Sequence, residues 1–361
     1  MRCIARFVVF VSTIARRNNS SDRDDSPPGA RRCRTSPVGR SLSPAIISVT
    51  LVLLLLAPDA LVAQDKEVAY QSPAYSLTFG VREWITRGRS GHNIGSPAGP
   101  NVASELSWRG MNSVITQFTG DLVVKRFILN LSVGYGGING GDLLDQDWDD
   151  NNRTNKTSET ISRIGDGSIW IVSVTPGVRL FEWSVPDNPI RGGYDLMAGF
   201  QFWREQYVAF GGANLLPAGP PLPDGRSLQQ TNTWQSMRIG MRTTFPAFSF
   251  LAVKGGIFYI PFNSYRNEDI HYLRTTGPMA LRQDPSFLST ATGGNGVQVE
   301  GSVLVRLWRG LTAEAGYAYW DMRSGSGTIE QFNADGTVAL GTHNQENTKR
   351  QGVFFAVNWV F

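Results

Sequence analysis

Apolar residues recur at every second position through most of the chain after residue 74. In 297–308, one set of alternate positions is almost entirely apolar, and the other set carries Gln298, Glu300 and Arg306. The same pattern returns at 127–135, 251–259 and 311–320. Because successive side chains of an extended strand point to opposite faces, this alternation predicts β-strands, each with one apolar face.

Soluble β-sandwiches also alternate, but two further features favour a membrane barrel. The alternating segments reach 10–14 residues, which suits tilted spanning strands of about 9–11 residues. The connections alternate between short and long, as outer-membrane barrels do with their periplasmic turns and external loops. The long polar connections are 85–102, 137–167, 212–229, 263–295 and 322–351. A membrane-inserted chain of this kind must form a closed barrel, since its backbone polar groups have no other partners in lipid.

The sequence therefore predicts an all-β fold, a ten-stranded antiparallel transmembrane β-barrel with long extracellular loops. The predicted strands are 75–84, 103–119, 123–136, 168–181, 193–211, 230–244, 249–262, 296–308, 311–321 and 352–361. A barrel of this size is largely filled by side chains, so a wide pore is not expected. Inward polar residues such as Arg238, Lys254 and Glu300 are expected to form an internal charged network. The alternating apolar residues that end at Phe361 look like the signal read by the outer-membrane assembly machinery.

The first part of the chain differs from the rest and predicts two regions. Residues 1–63 form an export signal region, with an Arg-rich stretch, an apolar run at 45–57 and small residues before Ala63. The apolar run has about 13 residues, which is too short to span a bilayer as a helix. Cleavage is expected after Ala63, and residues 64–361 then form the barrel. An N-terminal membrane anchor is the alternative, and a start codon assigned too early would also explain residues 1–40.

The export signal region accounts for the basic character of the chain. It holds nine of the 34 basic residues and four of the 30 acidic residues, so 64–361 has 25 basic and 26 acidic residues. The high isoelectric point therefore gives no support to nucleic-acid binding. Both cysteines, Cys3 and Cys33, also lie in this region. Residues 64–361 consequently have no disulfide and no Cys-ligated metal.

Histidine is the main candidate for chemistry, and all three histidines fall in predicted external loops. His92 and His343 lie in Gly/Asn-rich stretches and are interpreted as solvated loop residues. His271 follows Asp269 by two positions, so both side chains project to the same side of an extended segment. A carboxylate there can orient the imidazole and stabilise its protonated form, as a general base requires. Alone, this pair is also compatible with ordinary loop residues.

A second cluster of acidic residues lies at 142–152, above the third predicted strand. Asp145 and Asp147 share a face there, and two close carboxylates resist ionising together, so the pair can hold a proton and polarise a water molecule. A solvated acidic loop and a Ca²⁺ loop are the alternatives. EF-hand spacing fails, since the sixth and twelfth positions are Asp150 and Lys156. In a ten-strand ring this cluster and His271 lie across the same external rim and flank a cleft.

The two clusters together resemble the motifs of the omptins, a family of outer-membrane endoproteases. The family's D-Q-D-W motif is present at 145–148, its D-x-H-Y motif at 269–272, and 196–201 looks like its fifth strand. The resemblance implies an aspartyl-type endopeptidase in which Asp269 orients His271 and His271 activates a water molecule. Asp145 and Asp147 then position that water and stabilise the tetrahedral intermediate. No metal, cofactor or covalent intermediate is implied.

The resemblance also implies a lipid A site and lipopolysaccharide as an activator. Phe200 and Arg204 match that site, whereas Phe202 replaces its acidic member and Ser236 its further basic member. The expected partners are therefore the outer membrane, its lipopolysaccharide and a peptide or protein substrate. The expected location is the bacterial outer membrane, with the active-site loops facing the exterior.

The chain departs from the family at the pocket that selects basic residues. Asn267 and the Arg87-Gly88-Arg89 stretch occupy the places of its two carboxylates. Unless Glu83 or Glu268 substitutes, the sequence predicts altered specificity, for neutral or acidic sites. A non-catalytic outer-membrane barrel, whether structural, adhesive or binding, is the alternative function. A porin and a barrel phospholipase are further alternatives, and no Ser–His motif supports the phospholipase.

Overall fold

The protein is described here from a computed structural model that covers residues 75–96, 99–184 and 190–361. The predicted export signal region 1–63 lies outside these residues. Twelve strands occur in them: β1 (Tyr75–Gly95), β2 (Ser104–Val124), β3 (Phe127–Asn139), β4 (Asp142–Asp150), β5 (Thr154–Trp183), β6 (Gly192–Leu216), β7 (Arg226–Phe248), β8 (Leu251–His271), β9 (Phe287–Trp308), β10 (Leu311–Ser324), β11 (Gly327–Phe332) and β12 (Val338–Val360). A short 3₁₀ turn, Asn151–Arg153, separates β4 from β5. No helix in the described ranges is long and apolar enough to cross a membrane.

The strands form one antiparallel sheet that closes into a ring because β1 pairs with both β2 and β12. Two places in the ring are each occupied by two consecutive strands. Between β2 and β5, β3 occupies the half near the chain ends, where it pairs with 112–124 of β2, and β4 occupies the rim half, where it pairs with 104–109 of β2. β10 and β11 share the place between β9 and β12 in the same way. The ring therefore has ten strand positions, and the predicted ten-stranded barrel is confirmed.

A pair of glycines makes the break between β3 and β4. Gly140 and Gly141 have φ values of 76° and 106°, in the region that L side chains rarely adopt. A Cβ atom built on Gly141 would lie 2.4 Å from the backbone oxygen of Arg109. The chain can therefore leave the β3 register and resume as β4 only with glycine at this position.

The strands are much longer than predicted and continue into the expected external loops. The predicted loop 137–167 contains β4 and the beginning of β5, and the predicted loop 322–351 contains β11 and the beginning of β12. Alternation disappears in these stretches because both faces of the wall carry polar residues, whereas backbone pairing does not depend on side-chain polarity. Most of the length of these predicted connections is therefore paired strand that extends the barrel wall.

The outer face near the chain ends is apolar, as a lipid-facing surface requires. On β12, Val353 and Phe355 are exposed and Phe354 between them is buried. At the end of the chain, the backbone N–H of Phe361 donates to the carbonyl oxygen of Leu77. The large exposed apolar residues of this belt include Phe79, Ile85, Phe118, Phe127, Leu131, Val174, Phe200, Ile239, Phe245, Ile257, Val303 and Tyr317.

Side chains fill the barrel interior below the mouth. The lower part contains the predicted charged network, in which Arg242 pairs with Asp121 and Asp195, and Arg82 pairs with Glu300. Above it lies a layer of buried indole rings: Trp84, Trp108, Trp203, Trp234 and Trp320. This packed interior leaves the upper rim as the place where a ligand can enter.

Candidate active site at the barrel mouth

A cleft of about 470 Å³ opens at the end of the barrel away from the chain ends. Its walls come from β1, β2, β4, β5, β8, β9, β11, β12 and the segment that follows β8. Asp145 and Asp147 line it from β4, and Asp269 and His271 line it from β8. The four residues singled out in the sequence therefore border one space, although β4 and β8 are not adjacent in the sheet.

Asp145 and Asp147 are both half-buried on the inner face of β4. Asp147 pairs in register with Ser104 of β2 and Ser158 of β5. Burial raises the pKa of Asp145 to about 8, and the neighbouring Asp147 adds to the shift while Arg274 opposes it. Burial also raises the pKa of Asp147, against the hydroxyls of Ser104 and Ser158 and the charge of Arg274. The couple therefore retains a proton near neutral pH.

Asp269 is buried and points into the barrel, where the amides of Asn267 and Gln230 lie beside it. Burial raises its pKa to about 6, and the charge of His92 limits that rise. A carboxylate in this position is mostly ionised at neutral pH. It can therefore stabilise a protonated imidazole near it.

His271 is the last residue of β8 and sits at the edge of the cleft. Its ring packs edge-on against Phe287, with centroids 5.0 Å apart, and its backbone N–H donates to Oγ of Ser286 at 3.0 Å. Burial, followed by the charge of Arg274, lowers its pKa to about 3. The imidazole is therefore neutral at physiological pH, which is the form that accepts a proton.

The expected hydrogen bond between Asp269 and His271 is not formed. Oδ1 of Asp269 and Nδ1 of His271 are both buried and have no hydrogen-bond partner among the described residues. Asp269 lies deeper, among Asn267, Gln230 and His92, while the imidazole is held against Phe287. Catalytic hydrogen bonds are often long or misaligned in the absence of substrate. Because Oδ1 of Asp269 and Nδ1 of His271 lie on one face of β8 without other partners, the two atoms remain available to each other.

His92 and His343 are buried, so their interpretation as solvated loop residues was wrong. They lie on β1 and β12, which pair with each other, and their rings are 5.0 Å apart inside the barrel. Nδ1 of His92 lies 3.2 Å from Oε2 of Glu346, and Nε2 of His343 lies 2.8 Å from Oγ of Ser324. The Gly/Asn-rich context had indicated loops, whereas both segments continue as strands above the membrane.

Burial has opposite outcomes for the pKa values of these two histidines. For His92, burial alone would lower the pKa, but the hydrogen bond and charge of Glu346 outweigh it and raise the pKa. For His343, burial and then the charge of His92 lower the pKa to about 3. The floor of the cleft therefore contains a His92–Glu346 ion pair beside a neutral His343.

Neither acidic substitute considered for the specificity pocket lines the cleft. Glu83 accepts a hydrogen bond from Thr116 lower in the barrel, and Glu268 is exposed and pairs with Arg266. Asn267 is buried and donates to Oδ1 of Asn232 at 2.8 Å. Glu346 lies close to that amide, since Asn232 also donates to it at 3.5 Å, but it is already paired with His92. Sequence reasoning missed Glu346, whose only signal was its alternate position on β12.

Phe200 and Arg204 both project from the outer face of β6, on the side expected for lipid contact. Ser236 does not belong to this surface, because it is buried and pairs in register with the inward-facing Gln201. The outward neighbour of Arg204 on β7 is Thr233. No carboxylate of the described residues lies within 4 Å of the Arg204 guanidinium.

No set of three or more His, Cys, Asp or Glu side chains in the described residues is arranged to hold a metal ion. The candidate site contains two aspartates and an Asp–His pair around one cleft, with Arg274 and the His92–Glu346 pair beside them. Such groups can bind a water molecule, accept its proton and stabilise developing negative charge.

Comparison with known proteins yields a match in structure alone. No protein-family model matches the sequence, and no curated protein matches it. The crystal structure of the outer membrane protease OmpT from Escherichia coli matches with a TM-score of 0.62 and 15% identity, covering 82% of this chain and 99% of that chain. A FadL homologue from Pseudomonas aeruginosa has a TM-score of only 0.26 at 8% identity, covering 80% of this chain and 90% of that one. The chain therefore has an omptin-like outer-membrane β-barrel fold.

Proposed function

We propose that this chain is an omptin-like outer-membrane endopeptidase that hydrolyses peptide bonds with an activated water molecule. One observation carries the proposal: Asp145, Asp147, Asp269 and His271 border a single cleft at the barrel mouth. Two motifs that are distant in sequence and lie on non-adjacent strands have no packing reason to meet there. Their convergence favours a catalytic site over two unrelated polar clusters.

The roles follow from the charges of the four groups. Neutral His271 accepts a proton from a water molecule held between it and the aspartate couple, and the resulting hydroxide attacks the peptide carbonyl carbon. The proton retained by Asp145 and Asp147 donates a hydrogen bond to the oxyanion of the tetrahedral intermediate. His271 then returns its proton to the leaving nitrogen as the C–N bond breaks. No acyl-enzyme forms.

The mechanism requires Asp269 to engage His271 when substrate binds. With a pKa of about 3, the imidazole is a weak base in the empty cleft. A hydrogen bond from its Nδ1–H to the Asp269 carboxylate favours the protonated imidazole and raises that pKa toward neutrality. The unpartnered Oδ1 and Nδ1 atoms support this rearrangement, since each lacks a competing partner that would have to be displaced.

The same proposal assigns the cellular setting. The chain resides in the bacterial outer membrane with the cleft on the exterior, and the alternating C-terminal residues through Phe361 are read by the assembly machinery. Lipopolysaccharide contacts Phe200 and Arg204 on the outer face and acts as an activator. The exposure of both side chains on one face of β6 supports this contact.

The test is cleavage of a diverse peptide library by the barrel purified from outer membranes, with and without lipopolysaccharide. His271→Ala and Asp145→Ala variants are assayed beside it, with Glu268→Ala, on the outer face of β8 and away from the cleft, as the control. We expect cleavage by the parent and the control, and loss in both site variants. A folded parent that cleaves nothing would sink the proposal and leave a binding or structural barrel.

The non-catalytic barrel is favoured by one specific observation, the missing contact between Asp269 and His271. It predicts a barrel that binds peptides at its mouth but never hydrolyses them. The same library assay separates the two functions, because bound but intact peptides identify a binding protein.

A further inference from the structure

Arg274 lies in the cleft beside the proposed catalytic groups. Its backbone N–H donates to the carbonyl oxygen of His271 at 3.2 Å, and its own carbonyl accepts from Leu281 at 2.7 Å. These bonds hold the segment after β8 in a turn, with Arg274 and Met279 both on the cleft wall. The guanidinium is therefore positioned by the same chain that carries His271.

The charge of Arg274 has no close partner. No carboxylate of the described residues lies within 4 Å of its guanidinium, and its only side-chain hydrogen bond goes to the carbonyl oxygen of Met279 at 3.4 Å. Asp145 and Asp147 influence its charge from a greater distance. A half-buried guanidinium with one long hydrogen bond retains most of its capacity to donate.

The other basic groups that line the cleft are not available to an anionic ligand. His92 is paired with Glu346, and His271 is neutral at physiological pH. Arg274 is thus the free permanent cation among the described residues of the cleft wall. A substrate side chain that binds beside His271 therefore lies next to this cation.

We propose that Arg274 is a specificity-determining residue that binds the carboxylate of an Asp or Glu within two residues of the scissile bond. The inference rests on the proposed endopeptidase function and names its substrate class. The planar guanidinium can form two parallel hydrogen bonds with a carboxylate, a geometry that no neutral side chain reproduces. Binding of an acidic residue also gives the guanidinium a carboxylate partner within hydrogen-bonding distance, where it otherwise has only the Met279 carbonyl oxygen at 3.4 Å.

The same arrangement disfavours a basic substrate residue. A Lys or Arg beside Arg274 would add like charge, and Glu346 beneath the cleft is already paired with His92. Asn267, which stands near Glu346, contributes an amide and no charge. Selection therefore combines an attractive contact for acidic residues with a repulsive one for basic residues.

The experiment compares peptides that differ at one position near the cleaved bond, with Glu, Gln or Lys. Parent, Arg274→Gln and Arg274→Glu barrels are assayed for kcat/KM. Arg266→Gln is the matched control, because it removes a positive charge from the outer face of the same strand region. We expect the parent and the control to prefer Glu over Gln by about tenfold, since a charged hydrogen bond of this exposure contributes about 1.5 kcal/mol.

The outcomes separate the inference from the function on which it rests. Loss of the preference in Arg274→Gln and its reversal toward Lys in Arg274→Glu support the proposal. An unchanged preference for Glu in active variants overturns the proposal. A uniform rise in kcat/KM for all peptides also overturns it, because it shows that the Arg274 side chain only obstructs the cleft. If the parent cleaves no peptide, the proposed endopeptidase function is wrong, and the affinities of the Glu, Gln and Lys peptides for the barrel still test Arg274. Equal binding of the Glu and Lys peptides would then overturn the inference.

Discussion

Nδ1 of His92 lies 3.2 Å from Oε2 of Glu346 beneath the cleft, and both side chains are shielded from solvent. The two residues face each other across β1 and β12, the strands that close the ring. Ser90 and Asn232 also donate to the same carboxylate. Glu346 therefore links the seam of the barrel to the floor of the proposed active site.

Replacement of Glu346 by Gln should destabilise the barrel most at low pH. Glu346 raises the pKa of His92 in the folded state. The pair therefore stabilises the fold below the unfolded pKa of 6.5, and this contribution is lost as the pH rises through the folded pKa. We expect a loss of about 2 kcal/mol at pH 5 and a smaller loss at pH 9. Urea unfolding at the two pH values measures this difference, and an equal loss at both would show that His92 is not charged.

Asp145→Asn should remove the alkaline decline in activity. Because burial raises the pKa of Asp145 to about 8, we expect parent activity to fall above this pH as the couple loses its proton. An amide cannot lose a proton in this range but still donates a hydrogen bond, so the variant should be slower and have a flat alkaline limb. The pH dependence of kcat/KM measures this, and an unchanged alkaline limb would place the titrating group elsewhere.

The same substitution should stabilise the fold at alkaline pH. A carboxyl group whose pKa is raised on folding disfavours the folded state progressively as pH rises from its unfolded pKa through its folded one. Asp145→Asn removes that cost, so thermal unfolding should occur at a higher temperature than in the parent at pH 9 and change little at pH 4. A lower unfolding temperature at pH 9 would show that the ionised Asp145 is fully compensated, for example by Arg274.

The fold and the two motifs could be read from the sequence because each rests on local spacing. Alternation places the lipid-facing strands, and the i, i+2 spacing places Asp145 with Asp147 and Asp269 with His271 on common faces. Their meeting in one cleft depends on ring closure, which the strand count alone implied. The parts of the strands that extend into the predicted loops showed no alternation of apolar residues, since both faces of the wall are polar there.

The residues that sequence reasoning missed or misinterpreted lie in those upper parts of the strands or directly after them. His92, His343 and Glu346 form a buried cluster from β1 and β12, yet their surroundings resemble solvated loops in composition. Arg274 follows a strand end by three residues, and only the turn fixed by Leu281 directs it to the cleft. These positions depend on pairing between distant segments, which local patterns do not encode.

Gly141→Ala should damage the wall that carries the aspartate couple. A Cβ at this position would lie 2.4 Å from the Arg109 backbone oxygen, and φ is 106°. We expect a loss of stability of about 1–3 kcal/mol. Gly137→Ala is the matched control, because its Cβ would meet nothing closer than 3.9 Å. Equal urea midpoints for the two variants would mean that the β3–β4 break tolerates a side chain.

Asp269→Asn should separate the positioning of His271 from its presence in the cleft. The amide keeps the size of the carboxylate but cannot stabilise a protonated imidazole, so the base stays weak and kcat should fall by about 10²–10⁴. Because the site residues that contact the peptide are unchanged, KM should shift little. Asn267→Ala, two residues earlier on the same inner face of β8, controls for disturbance of the buried amides around Asp269.

The decisive readout is the acidic limb of the pH profile of kcat, which reports the pKa of His271 in the enzyme–substrate complex. We expect this limb at a lower pH in Asp269→Asn than in the parent, since the imidazole loses the partner that raises its pKa. A proportional loss of rate with an unmoved acidic limb would mean that Asp269 does not contact His271 during turnover, and the roles assigned to the pair would then be wrong.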